Sequence, residues 1–263
     1  MNKYWAIFKT QLLNRLTYPA DLLGHGVTIV IYLWVFIFLW RTTYRVMGAS
    51  EGSIAGLTLN QTIWYLMLAE TLMLSKPRLS RLISAAVKDG SVAYMLNKPY
   101  NFLLYHFSMG LGDSLTNMIF NLLAGGALVW LMQSPPPPAW GWPLVLLTMI
   151  LAWMIDFCFA AIIGLAAFVA EEVNAFDWIY QKLLFILGGM LIPLDFFPDW
   201  LRSISKASPF AYMIFGPARL FVEPSLERFV TLLIGQIIWL SGLGAIVTVS
   251  YRRGLRWLAI NGG

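Results

Sequence analysis

The chain alternates long apolar runs with short clusters of charge. A helix needs about 20 mostly apolar residues to cross about 30 Å of hydrocarbon. Six windows meet that requirement: Leu22–Trp40, Ile54–Ser75, Phe107–Met132, Trp142–Ala170, Trp178–Leu194 and Phe229–Ser250. The third and fourth exceed it, which implies tilt or extension into the headgroup layer. Ahead of the first window, Trp5, Phe8, Leu12 and Leu16 recur on one helical face, with Lys9 and Arg15 able to snorkel. Residues 1–21 therefore read as a helix lying in the interface.

Between the second and third windows, Leu79, Leu82, Ile83, Ala86 and Val87 follow the spacing of an amphipathic helix, with Arg78, Arg81, Ser84 and Lys88 on the other side. Asp89-Gly90 supplies a stop, because glycine accepts the left-handed conformation at a helix end. In "SVAYMLNKPYN" Pro99 breaks any helix, and Tyr94, Tyr100 and Tyr105 suit the headgroup zone. The uncharged "QSPPPPAW" (133–140) reads as a stiff external connection.

Beyond residue 188 the pattern changes. Pro193 and Pro198 break the chain, Asp199 to Ile204 can form a brief amphipathic turn, and "SPFAYMIF" opens a second apolar piece that Pro217 and Arg219 cut short. Neither piece can span. Non-helical backbone at membrane depth persists only where protein or a water-filled cavity satisfies it, so residues 195–228 are expected to form an outer re-entrant hairpin beside a pathway. The expected fold is all-α: a polytopic membrane protein with six transmembrane helices, an N-terminal interfacial helix (1–21), a cytoplasmic segment (76–101) and this hairpin, all in one domain over 1–263.

Composition supports the bilayer. With 59% hydrophobic and 12% charged residues and a mean hydropathy of +0.70, the chain has more apolar surface than a soluble domain of its length can bury. The net charge of +5 does not indicate nucleic acid, because the cations flank apolar runs where topology and lipid headgroups account for them. If both ends are cytoplasmic, Lys3, Lys9, Arg15, Lys76, Arg78, Arg81, Lys88, Lys98, Lys182, Arg252, Arg253 and Arg256 lie inside, twelve of the eighteen Lys and Arg. Arg41, Arg45, Arg202, Lys206, Arg219 and Arg228 lie outside, the last four balanced by Asp195, Asp199, Glu223 and Glu227. That bias sets the orientation. The first run follows about 21 mixed residues without a small-residue cleavage site, as expected of a retained span.

Ionisable residues inside apolar windows are functional by default, since each costs about 2.5–3.5 kcal/mol at the bilayer centre on insertion scales. Glu70, Asp113 and Asp156 qualify. Glu70 and Asp113 lie toward the cytoplasmic ends, within reach of solvent or basic partners. Asp156, nearest mid-membrane, is either a pathway-lining group or a hydrogen bond that holds helices together. Glu171, Glu172 and Asp177 give the second cytoplasmic loop an acidic, solvated character. Small residues at Ala160 and Gly164, Gly188 and Gly189, and Gly242 and Gly244 suit close helix approach, within the subunit or at a dimer seam. Cys158 is the only cysteine, which excludes an intrachain disulfide. His25 and His106 lack metal-ligand spacing, and no metal site is expected.

The small pair Gly188-Gly189, then Ile192-Pro193, Pro198-x-Trp200-Leu201 and Ser208-Pro209-Phe210 before the last apolar run resembles the permease subunit of type-2 ABC exporters. "KDGSVAYMLNKPYN" is similar to that family's Gly-x-x-x-x-x-Leu-x-x-Pro segment before its third span. The resemblance implies a bacterial-type inner-membrane protein that works as a pair of identical or related permeases above two ABC ATPase subunits. It implies that the segment around Arg78, Leu79, Arg81, Leu82, Lys88, Asp89 and Gly90 couples to the ATPase. It also implies that the hairpin carrying Pro193, Pro198, Trp200, Pro209 and Phe210 helps close the exit. The sequence contains no G-x-x-x-x-G-K-[ST] phosphate loop. The energy source must therefore be another polypeptide or an ion gradient, and the resemblance implies the former: ATP and Mg in the partner ATPase, with no cofactor on this chain and no catalysis of its own. The competing class, a gradient-driven secondary transporter, favours inverted repeats, and none is evident between the two halves. A membrane-embedded enzyme acting on lipid would need convergent nucleophile or acid/base groups, for which two distant histidines and isolated carboxylates offer little. A cysteine introduced at residue 85 should react with an impermeant maleimide only from the cytoplasmic side. Labelling from outside would reverse the topology.

Overall fold

The computed structural model of the chain describes residues 3–17, 19–49, 52–170 and 172–261, with side chains throughout except at 19–23, 25, 96 and 257–261. Glu171 and the His25 side chain thus lie outside the described residues. The helices are α1 (Lys3–Thr17), α2 (Pro19–Val46), α3 (Leu59–Leu74), α4 (Leu79–Lys88), α5 (Ser91–Leu96), α6 (Phe102–Met132), α7 (Trp142–Leu165), α8 (Asn174–Leu187), α9 (Asp199–Ala207), α10 (Pro209–Met213), α11 (Phe215–Val222) and α12 (Leu226–Asn261). Helix makes up 82% of the structure. Among the described residues, the strands form one two-stranded antiparallel ribbon, β1 (Ser53–Ile54) with β2 (Leu57–Thr58), in which Ser53 pairs with Thr58 and Ile54 with Leu57. Among the described residues, four helical segments are long and apolar enough to cross a membrane: Gly26–Val46, Phe102–Met132, Ala139–Phe168 and Leu226–Arg256. The chain is an all-α polytopic membrane protein.

The window edges shift for local reasons. The ribbon takes Ile54 to Thr58 out of the second window, and Thr58 then caps α3 reciprocally with Gln61. The window expected to reach Leu194 stops at Leu187, because Gly189 turns the chain with φ +71° and gives its carbonyl to the Tyr65 hydroxyl at 2.7 Å. At 16 and 14 residues, α3 and α8 are about 24 and 21 Å long. At the other extreme, α12 continues past Ser250 to Asn261.

Around α3 the core closes. Every residue from Thr62 to Thr71 is buried, with α2, α6 and α11 packed against the helix. The first helix is held by polar contacts as well as by its apolar face. Gly112 of α6 admits the α1 backbone so closely that a Cβ there would lie 3.0 Å from the Phe8 carbonyl oxygen. Arg15 does not snorkel: its Nε meets Asp113 Oδ1 at 2.7 Å, and Gln11 donates to the same oxygen at 2.8 Å. Trp5 and Leu16 remain exposed on the outer face.

Two glycines likewise seat α4. A Cβ at Gly110 of α6 would lie 2.7 Å from Leu79 Cδ1, and one at Gly164 of α7 would lie 2.6 Å from Ile83 Cβ. The buried arc of α4 comprises Leu79, Ser80, Ile83, Ser84 and Ala86. This corrects the amphipathic assignment at two positions: Leu82 is exposed and Ser84 buried. Periodicity placed the apolar arc about one residue away, because α4 is wedged between helices and does not lie on one apolar surface. Of the other small pairs, Gly242 and Gly244 have open space where a Cβ would stand.

Replacing Gly164 by valine should push Ile83 off α7 and destabilise the protein by about 1–3 kcal/mol, as overpacking does. A thermal melt in detergent reads the loss, and a melting temperature equal to wild type would show that α4 is not seated there.

Candidate functional site

Three elements converge on Asp156. Lys76, in the link between α3 and α4, makes an ion pair with Asp156 of α7, and Tyr180 of α8 donates its hydroxyl to the same carboxylate oxygen. Lys76 Nζ also donates to the Tyr180 hydroxyl at 3.2 Å and stands 4.7 Å from the centre of its ring. Both charged side chains are largely buried, 17% and 6% exposed. A buried pair of this kind survives only with its remaining hydrogen-bonding capacity met, which is what the tyrosine supplies.

Tyr180 carries this site toward the other end of the molecule. Its ring stacks on Phe159 with centroids 4.9 Å apart, and Phe159 stacks on Phe210 of α10 at 5.5 Å. One candidate of the 195–228 segment, Phe210, thus joins the surroundings of Asp156.

A second carboxylate anchors α4 directly. Asp177, in the first turn of α8, accepts from Ser80 Oγ at 2.7 Å and from Gln181 Nε2 at 2.9 Å, with Arg81 Nε at 3.9 Å. It is buried, which corrects its reading as part of a solvated acidic loop. Glu172 keeps an exposed role, accepting from the Asn174 amide at 2.8 Å, and that bond holds its carboxyl below the usual range.

These groups wall a cavity of about 390 Å³ lined by α2, α3, α4, α7 and α8. Glu70, Lys76, Arg78, Arg81, Asp156 and Asp177 all lie on it. Glu70 is 1% exposed, and neither carboxylate oxygen has a hydrogen-bond partner. On the other side of the Lys76–Asp156 pair is a smaller, apolar cavity of about 70 Å³, bounded by α6, α7 and the α10–α11 junction.

Of the α4 residues, Arg78, Arg81, Leu82, Lys88, Asp89 and Gly90 face outward, whereas Leu79 is the buried root. Gly90 has φ +74°. Asp89 Oδ1 accepts from the Ser91 amide at 2.8 Å, which lowers its carboxyl from the ordinary value. The exposed side of α4 therefore combines three cations with one large apolar side chain.

The far end is built from broken helix. Pro198 precedes α9 and Pro209 opens α10, while Trp200 stands 66% exposed. The chain breaks at Ile214 (φ −120°, ψ −62°) and not at Pro217, which sits inside the first turn of α11 where its missing N–H costs nothing. Arg202 donates to the carbonyls of Leu194, Asp195 and Phe197 at 3.2, 3.0 and 2.8 Å. Gln236 of α12 donates to Tyr212 O and Thr148 O, both at 2.9 Å. Arg219 meets Asp195 at 3.2 Å and Glu223 at 2.9 Å, and Arg228 meets Glu223 at 2.6 Å. Irregular backbone is thus satisfied by side chains.

Sequence reasoning found Asp156, Glu70 and Asp113 but not their surroundings. Lys76, Tyr180, Asp177 and Ser80 were missed as site residues. The available signal was a cation at the edge of one apolar run and a carboxylate inside another. Among the described residues, no group of three or more His, Cys, Asp and Glu is placed to hold a metal ion.

Asp156→Leu should strand the Lys76 ammonium and cost about 3–5 kcal/mol, as breaking a buried pair does. Adding Lys76→Met should recover most of the loss. Melting temperatures of the two single variants and the double variant measure the coupling, and additive losses would show that the pair contributes nothing.

Comparison with curated proteins gives no match. The model of the ABC-2 type transporter family matches residues 2–216, from α1 through the α10–α11 break, and takes in α4, Asp156 and its partners. The chain belongs to the ABC-2 type transporter family, as a membrane permease subunit.

Proposed function

We propose that the chain is the transmembrane subunit of an ATP-driven exporter, forming the substrate pathway as a homo- or heterodimer above two ABC ATPase subunits. In this reading α3 and α8 complete six spans with the four long helices, both termini are cytoplasmic, and α9 to α11 form the outer re-entrant hairpin. Their shortness fits the reading: α3 is sheathed by other helices, and α8 is continued by irregular backbone at depth. The outward apolar side chains of α2 and α8, among them Val35, Phe38, Ile179 and Ile186, suit lipid or the second permease.

The observation that carries the proposal is the mounting of α4. Its outer face offers Arg78, Arg81, Leu82 and Lys88 to a soluble partner, while Leu79 and Ile83 fill glycine seats on α6 and α7 and Asp177 ties it to α8. Pressure on one short helix thereby reaches two long helices and α8 at once. The chemistry of ATP and Mg stays with the ATPase. Closure of the exit falls to the hairpin, whose Phe210 communicates with Asp156 through Phe159 and Tyr180.

The alternative, a gradient-driven transporter, gains one supporting observation: the buried Lys76–Asp156 pair is of the kind that proton-coupled carriers use. The two readings separate in liposomes. Export should require the co-purified ATPase and ATP, and accumulation under a proton gradient alone would favour the alternative. Lys88→Glu and Leu82→Asp should each abolish ATP-driven export and loosen ATPase association while the melting temperature stays near wild type. Undiminished export and association in both variants would remove α4 from the coupling role.

A further inference from the structure

From the orphaned carboxylate of Glu70 we infer that the 390 Å³ cavity is a binding site for a lipophilic cation, an amphiphile carrying a protonated or quaternary amine. The other carboxylates on its wall are already answered. Asp156 holds Lys76 and Tyr180, and Asp177 holds Ser80 and Gln181 with Arg81 nearby. Arg78 is exposed at the start of α4. Glu70 alone is buried without a donor. Lys76, on the same wall, is taken up by Asp156 and makes no bond to it.

What surrounds the carboxylate fits an organic cation better than a metal ion. The same cavity is lined by Tyr32 of α2, Phe185 of α8 and Met190, an aromatic and thioether surface. Aromatic faces attract desolvated cations, and a carboxylate supplies the full counter-charge. The volume lies in the range of sites that enclose a drug-sized ligand. An anion of the same size would meet Glu70 with like charge in a poorly solvated wall. The assignment deepens the export reading, on which it rests for calling the ligand a cargo. Occupancy itself needs neither ATP nor transport.

The test uses tetraphenylphosphonium and tetraphenylborate, ions of one shape and opposite charge, in equilibrium dialysis against the permease–ATPase complex. The complex is kept in dodecyl maltoside without nucleotide, so no headgroup amine competes. Wild type should bind the phosphonium saturably and the borate not at all. Glu70→Gln should weaken phosphonium binding by about tenfold, with an unchanged or raised melting temperature because a buried unpaired charge has been removed. Should that variant fail to fold, wild type still decides. Dicyclohexylcarbodiimide, which modifies buried carboxyls, should label Glu70 by mass spectrometry, and the phosphonium should protect it where the borate does not. Added phosphatidylethanolamine that displaces the phosphonium would assign the site to a lipid headgroup amine. Equal binding of both ions, full binding by Glu70→Gln, or labelling of Glu70 unaffected by the phosphonium would each overturn the inference. Leu82→Asp, which breaks coupling at a position off the cavity wall, should leave phosphonium binding intact, so failure of the export reading and failure of this one are told apart.

Discussion

A charge withdrawn from water has to meet its opposite, and in this molecule that requirement fastens the α4 end together. Lys76 leaves the last turn of α3 and finds Asp156 of α7, with Tyr180 of α8 completing the contact. Asp177 and Asp113 apply the same rule to α4 and α1. The ion pairs cross large separations in sequence, so these helices are tied to one another by polar contacts that burial makes expensive to break. Apolar packing alone would specify their positions less sharply, since lipid tails are as apolar as the side chains that face them.

Long apolar helices were legible in the sequence because length and hydropathy are local properties. Four of the six windows correspond to segments able to cross a membrane, and the short amphipathic helix at residues 79–88 has the extent its spacing predicted. What was not legible depends on partners far along the chain. The orientation of α4 is set by Gly110, Gly164 and Asp177, none of which its own periodicity can register, and Leu82 and Ser84 exchanged roles as a result. Arg15 read as a snorkelling cation because Asp113, 98 residues away, is invisible to a helical wheel. The early end of α8 rests on one glycine conformation and a tyrosine hydroxyl from α3.

The α9 end solves a different problem. Around its short helices the carbonyls of Asp195, Phe197 and Tyr212 accept from Arg202 and Gln236, which reach across to them. Two polar side chains thus supply donors where the backbone is irregular. The proline pattern announced the breaks but misplaced one: Pro217 extends α11, and the interruption falls at Ile214.

The glycine seats also constrain how α4 can move. Leu79 and Ile83 sit where their neighbours have no side chains, so sliding along the helix axis would drive each methyl cluster into the flank of its hollow, whereas a tilt leaves both engaged. Under the proposed coupling role, a push on α4 would be delivered to α6 and α7 at Gly110 and Gly164, and the length of those helices would make them lever arms that enlarge a small rotation at one end into a wider displacement at the other.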